Sequence, residues 1–270
     1  MNLSIFYHLI APFRQPALCS VFVVLIFCSR AFAVSGENPL PSDSNRVSHA
    51  LWDTLLRRHV RSNGFVSYKG FVRDSALLNN YLETLSRCQP EHSDWSRAEK
   101  MAFWINAYNA FTIQLVVRHY PVKSIKDIKR GIPFVNTVWD IKFIEIGGKK
   151  YDLNKIEHGI LRPDFKDPRV HAAINCASYS CPPLRREAYT ADRLEAQLTE
   201  AMRDFINDPL RNRVTASKAE ISEIFRWFSK DFLRKSNSIR DYLNLYAHKK
   251  LNNKGPIVYL DYNWSLNDEL

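Results

Sequence analysis

Glycine is scarce in this chain of 270 residues: eight scattered copies form no glycine-rich phosphate loop, so the sequence gives no sign of a nucleotide site. Eight glycines and 13 prolines are also too few for a low-complexity or collagen-like chain. Cysteine is sparse, five in all, which excludes a disulfide framework as the source of stability. Basic clusters interleaved with aromatics are missing as well. The net charge is +10, but it is spread over separate pairs such as Arg57-Arg58, Lys149-Lys150, Arg185-Arg186 and Lys249-Lys250. That spread reads as solvated helix faces and speaks against nucleic acid as a partner. What is present, 46% hydrophobic, 24% charged and 13% aromatic residues, is the composition of an ordinary globular protein.

Long apolar runs are confined to the start of the chain. Ala17 to Cys28 is almost unbroken, Arg14 precedes it, and Ala31-Phe32-Ala33 supplies the small-x-small pattern of a signal-peptidase site. The run is short for the roughly 30 Å of a bilayer core, which favours a cleaved signal over a span. The expectation is a secretory signal over 1–33, a flexible leader over 34–44 and one globular domain over 45–270. Such a product is secreted or periplasmic and not an integral membrane protein once cleaved. An uncleaved anchor is the alternative, if the run extends back toward Ile10. Cleavage removes Arg14 and Arg30, leaving 36 basic against 28 acidic side chains, a net of +8, and only Cys88, Cys176 and Cys181. Three is odd, so at least one thiol is unpaired or pairs between chains.

The periodicities predict a single α+β domain in which a buried core helix packs on a small, mainly antiparallel sheet. Val47, Leu51, Leu55 and His59 recur at helical spacing, residues 64–68 read as a short strand or turn, and Leu77 to Leu85 marks a second helix. Ser96-Arg97-Ala98-Glu99 is a capping box opening a helix over about 97–119, apolar on nearly every face. Asn106 and Asn109 interrupt that surface one turn apart. Buried, each demands a partner: a neighbouring loop to fix, or a catalytic histidine to orient. Residues 134–146 read as a strand, with Gly147-Gly148 as the turn of a hairpin into Lys149–Tyr151. A short helix over Leu153–Leu161 is expected to stop at Pro163, and Arg169–Asn175 alternates as a strand. Thr190 is expected to cap a helix whose inner stripe is Leu194, Leu198, Met202 and Phe205. A Trp227-Phe228 segment, a helix near Ser238–Leu251 and a strand over Ile257–Tyr262 complete the chain.

The chemistry concentrates where His171 runs into a small-residue loop beginning at Cys176 and closing at Cys181-Pro182-Pro183, with Glu157-His158 on a helix upstream. A thiolate attacks carbonyl carbon, and an imidazolium beside it lowers the pKa of the thiol. His171 lies about 16 Å from Cys176 along an extended chain, so it becomes a partner only if the loop folds back; His158 has no such restriction. Three other readings stand beside catalysis. Cys176 is a small buried hydrophobe, or it is bridged to Cys181, which needs a tight turn to bring the Cα atoms within roughly 7 Å. Or His158, His171, Cys176 and Cys181 bind zinc, although their spacings match no usual zinc pattern. No cofactor or metal is therefore assigned.

Five ordered motifs carry a resemblance: Phe103-Trp104-Ile105-Asn106-Ala107-Tyr108-Asn109-Ala110, Ile156-Glu157-His158-Gly159-Ile160-Leu161-Arg162, Val170 through Pro182, Trp227-Phe228-Ser229-Lys230-Asp231-Phe232, and Leu260-Asp261-Tyr262-Asn263-Trp264. Together they resemble the Domain of Unknown Function 547 family over about Trp95 to Asn267, a family that brings no settled activity, substrate or cofactor. The resemblance implies that Trp104, Asn106, Asn109, Glu157, His158, His171, the Cys176 loop and Asp231 belong together. It also implies cysteine at the position of Cys176 and, in plant members, serine at that of Cys181, which favours Cys176 as the reactive thiol over an obligatory bridge.

The lead expectation is an exported cysteine-dependent hydrolase or acyl transferase acting on amide or ester bonds. Its substrate is an unknown peptide, ester or glycan-linked compound. Cys176 is the nucleophile, His158 the first candidate base and His171 the second. Glu157 points about 100° away from His158, so Asn106, Asn109 or Asp231 is the better orienter. Backbone amides of Ala177 and Ser178 are the candidate anion hole. The elements are loosely similar to papain- or transglutaminase-like enzymes, with the histidines placed before the cysteine instead of after it. The alternative is a non-catalytic envelope binding module whose Cys176/Cys181 loop is structural. The sequence assigns no oligomeric state.

Overall fold

From Met101 to Val116 no residue is charged, so this stretch has to be covered from every side. The computed structural model, which describes residues 46–91, 94–128 and 137–269, does that with helices. Helix α4 (Arg97–Val117) is buried along that entire stretch and opens with the Ser96–Glu99 capping box. Around it pack α1 (Ala50–His59), α2 (Tyr68–Arg73) and α3 (Ser75–Arg87). A hairpin of β1 (Ile144–Ile146) and β2 (Lys149–Tyr151) joins the same core, with Tyr151 against Trp104 at 5.3 Å between ring centres. Gly147 and Gly148 take φ of 58° and 73°, the pair of left-handed residues that a two-residue turn needs to match strand twist. A second apolar cluster forms between α8 (Leu194–Asn207), α11 (Ile239–Tyr246) and a three-stranded sheet. In that sheet β3 (Arg213–Val214) runs antiparallel to β4 (Ala219–Ser222), and β5 (Ile257–Leu260) parallel to β4. The domain is α+β, with small antiparallel and mixed sheets. Among the described residues no helix is long and apolar enough to cross a membrane.

Several elements differ from the sequence reading. Residues 169–175 are not a strand: α7 (Val170–Ala173) is one helical turn, started by Asp167, whose carboxylate accepts from the Arg169 amide at 2.9 Å. Every residue from Val170 to Asn175 is buried, so the apparent alternation of two faces held no information. Pro163 does not stop its helix either. Helix α5 (Leu153–Ile156) widens into a π turn over Glu157–Leu161 and continues as α6 (Arg162–Phe165), with Pro163 just after the π turn. Lys166, at φ 50°, ends it. Thr190 is not the cap of α8: a turn intervenes, and Gln197 reaches back to accept from the Thr190 amide at 2.9 Å. Of the strand expected over 134–146 only Ile144–Ile146 forms; Val138–Asp140 is a 3-10 turn, and 134–136 lie outside the described residues. The turns α9 (Ile224–Trp227) and α10 (Ser229–Phe232) occupy the Trp227-Phe228 segment. The signal and leader readings also lie outside the described residues.

A candidate thiol and histidine cleft

Two of the buried amides on α4 are spent on backbone. Asn106 donates to the Tyr189 carbonyl at 2.8 Å and accepts from the Tyr189 amide at 3.0 Å. Asn109 donates to Ala173 O at 2.9 Å and accepts from the Asn175 amide at 2.8 Å. Neither lines the cleft described next. They fix loops, and Asn109 fixes the one that leads into Cys176.

That loop borders a cleft of about 220 Å³ whose lining includes Glu157, His158, His171, Cys176 and Cys181. Tyr108 of α4 forms part of the floor, and Trp139, Trp227, Phe228, Tyr262 and Trp264 supply aromatic walls. Trp227 is 45% exposed and stacks on Trp264, 5.9 Å between ring centres, while Trp264 meets Trp139 at 5.6 Å.

The two histidines differ in which nitrogen they leave free. At 2.9 Å from His158 Nδ1 lies Nη1 of Arg162, one helical turn on. A guanidinium only donates, so Nδ1 is the acceptor and the single ring proton sits on Nε2. Burial and the Arg162 charge both lower the His158 pKa and keep the ring neutral. His171 is only 3% exposed, and its Nε2 lies 2.9 Å from Asp231 Oδ2. The hydrogen bond from His171 and that from Arg162 Nε, 2.7 Å away, hold the Asp231 carboxyl far below its ordinary range in spite of burial. Nε2 of His171 therefore donates, and among the described residues its Nδ1 has no hydrogen-bond partner. Burial lowers the His171 pKa too. Phe228 stacks on the His171 ring at 4.0 Å, fixing its plane. One imidazole thus keeps an open lone pair and the other an open N–H.

Glu157, on the π turn, accepts from Tyr108 Oη at 3.2 Å and is 8% exposed. Burial pushes its carboxyl up to about 7, against the opposing pull of Tyr108 and Arg162. Its Oε1 stands 3.9 Å from His158 Nδ1, which Arg162 already occupies, so Glu157 does not orient that ring.

Cys176, half-buried, has its sulfur 3.2 Å from Ser178 Oγ and 3.5 Å from Tyr262 Oη. No histidine is among its hydrogen-bond partners in the described residues. All three described cysteines are free thiols. Cys181, 2% exposed, accepts from the Cys176 amide at 3.0 Å, from Ser178 Oγ at 3.3 Å and from Tyr262 Oη at 3.3 Å. Although burial disfavours its charge, these hydrogen bonds together with one from the Cys176 thiol draw the Cys181 pKa down. The hydrogen bond to Cys181 and burial raise that of Cys176. The expected anion hole is not built: the Ala177 amide is taken by Asn175 Oδ1 at 2.8 Å, and the Ser178 amide serves the Cys181 sulfur. The C-terminal segment clamps the loop from outside, with Tyr179 N donating to Ser265 O at 2.7 Å and Asn267 N to Ala177 O at 3.1 Å.

Sequence reasoning placed Cys176, Glu157, His158 and His171 correctly in one neighbourhood and named Asp231 among the orienters. It gave no role to Arg162, Tyr108 or Tyr262, and of Ser178 it named the amide and not the hydroxyl that meets both sulfurs. Arg162 was detectable, four residues after His158 on a helix; Tyr262 was not, because its place depends on the path of the last strand.

Residues 92–206 match the model of the family described as "Protein of unknown function, DUF547". The chain thus resembles that family over the segment carrying α4, Glu157-His158 and the whole Cys176–Cys181 loop, whereas Asp231 and Tyr262 lie beyond the matched residues. No curated protein matches the chain, and no solved structure does.

Proposed function

We propose that the chain is a cysteine-dependent hydrolase or acyl transferase acting on amide or ester bonds. The observation that carries the reading is that one cleft gathers a half-buried thiol, Cys176, with a neutral histidine, His171, whose Nε2–H is held by Asp231 and whose Nδ1 is left open. Cys176 is the nucleophile. His171 replaces His158 as the base, because Arg162 consumes the lone pair that His158 would need. With no hydrogen bond between sulfur and imidazole among the described residues, the proton crosses the cleft as substrate binds and the arrangement tightens. The Nε2–H of His158 and the carboxyl of Glu157, protonated below about pH 7, are the donors available to a developing oxyanion. The aromatic walls suit the apolar part of an acyl substrate. Export, read from residues 1–33, is part of the same proposal.

One observation favours a binding module instead: the sulfur is satisfied by Ser178, Tyr262 and Cys181 without any histidine. A panel of chromogenic esters and amides, run beside alkylation by an iodoacetamide probe, separates the two. Turnover and labelling at Cys176, both lost in Cys176→Ala and turnover reduced about 10²-fold in His171→Gln, supports the hydrolase. A Cys176 that is inert to the probe, with no turnover of any substrate, supports the module.

A further inference from the structure

The segment from Asn175 to Cys181 is folded around sulfur. Ala177 adopts φ 63°, a left-handed conformation that is disfavoured for a residue with a Cβ, and Asn175 Oδ1 and the C-terminal segment hold it there. The Cys181 amide then turns back to the Ser178 carbonyl at 3.0 Å, which returns the second sulfur to the first. The sulfurs share two neighbours: Ser178 Oγ is 3.2 Å from one and 3.3 Å from the other, and Tyr262 Oη is 3.5 Å and 3.3 Å away. One is half-buried on the cleft and the other almost wholly covered, the asymmetry of an attacking and a resolving thiol. Cys88 takes no part. It sits at the end of α3, its thiol donates to Thr84 O at 3.3 Å, and burial pushes it up to about 11.

We propose that Cys176 and Cys181 form a reversible intramolecular disulfide, with a low-molecular-weight disulfide as the oxidant. Cys176 sulfur attacks one sulfur of the oxidant while its proton passes to the Cys181 thiolate, giving a mixed disulfide and releasing one thiolate. Cys181 sulfur then attacks Cys176 sulfur, the second thiolate leaves, and the Cys181 proton goes to it. Two cysteine sulfurs are oxidised and the oxidant is reduced to two thiols, so atoms and electrons balance. The hydrogen-bonding groups that stabilise the Cys181 thiolate also place both sulfurs together, so little chain rearrangement precedes closure. That the bond would also silence the site rests on the hydrolase reading; the bond itself does not.

The test is differential alkylation of the full chain, reduced and then incubated with oxidised glutathione, followed by peptide mapping. The expected result is that Cys176 and Cys181 become protected together, that the peptide joining them loses two hydrogens, that Cys88 stays alkylatable, and that dithiothreitol restores both thiols. Labelling of Cys176 should fall roughly tenfold or more on oxidation. In Cys181→Ser, Cys176 should stop at the mixed disulfide with glutathione, circular dichroism confirming that the variant is folded. Continued alkylation of both cysteines after oxidant, or crosslinks to Cys88 or between chains in place of the 176–181 bond, would overturn the proposal. The mapping needs no substrate, so its outcome stands whether or not the protein proves to be a hydrolase.

Discussion

Replacing Glu157 by glutamine changes one thing that can be measured without knowing a substrate. The carboxyl is buried beside Tyr108, and burial raises it from 4.5 to about 7. A carboxyl raised in the folded state holds its proton where the unfolded chain has lost it. Stability from this site is therefore intact below pH 4.5 and falls as the pH rises through 7. For those two values the loss between pH 5 and pH 8 is about 2.5 kcal/mol. Glutamine keeps the shape and can still accept from Tyr108, but it has no proton to lose. Urea unfolding followed by tryptophan fluorescence at both pH values gives the difference between variant and wild type, in which all other titrations cancel. The variant should gain about 2.5 kcal/mol on the wild type between pH 5 and pH 8. A difference that stays constant within about 0.5 kcal/mol across that range refutes the buried, neutral carboxyl and, with it, Glu157 as a donor in the cleft.

Other substitutions probe the groups behind the cleft. Asp231→Asn removes the charge that holds His171 Nε2–H and should slow turnover by about 10²-fold, with a smaller change in KM, as the ring loses its tautomer; unchanged kcat would dismiss His171 as base. Arg162→Gln withdraws the positive charge next to His158, whose pKa should climb toward 6.5 in an NMR titration, and a flat response would remove the tautomer assignment. Asn109→Ala strands the buried Ala173 carbonyl and Asn175 amide, at a cost of about 2 kcal/mol in chemical denaturation, whereas a loss below about 0.5 kcal/mol would mean that the loop is held by other contacts.

How far the sequence revealed this arrangement depended on whether local chemistry decided it. The capping box at Ser96, the glycine pair of the hairpin and the inner stripe of α8 each follow from neighbours in the chain, and each is found where expected. Residues 170–175 went the other way. An alternating pattern identifies a strand only when one face meets water, and here both are covered. The π turn was equally invisible, since it arises from how Glu157 and His158 meet the core. The histidines were ranked by freedom along the chain, which favoured His158, whereas the decisive fact is a side chain one turn away that occupies its lone pair. Asp231 and Tyr262 reach the site through the second apolar cluster, and only the folded path of the last 60 or so residues brings them there.

The charges of the cleft are sorted in a way that bears on what it accepts. Glu157 is raised by burial, His158 and His171 are lowered by it, and the hydrogen bond to Cys181 joins burial in raising Cys176. Each of these lining groups is pushed toward its uncharged form at neutral pH. The Asp231–Arg162 ion pair is not among the lining residues, whereas Cys181, which is, has its pKa drawn down by its hydrogen bonds. An anionic group entering such a space gives up water and meets no lysine or arginine on the lining, a cost of several kcal/mol, whereas an uncharged ester or amide carbonyl meets donors and aromatic faces. The same sorting separates the two sulfurs by role. Negative charge is drawn to the almost wholly covered sulfur, and the more open one keeps its proton until a base or an oxidant takes it.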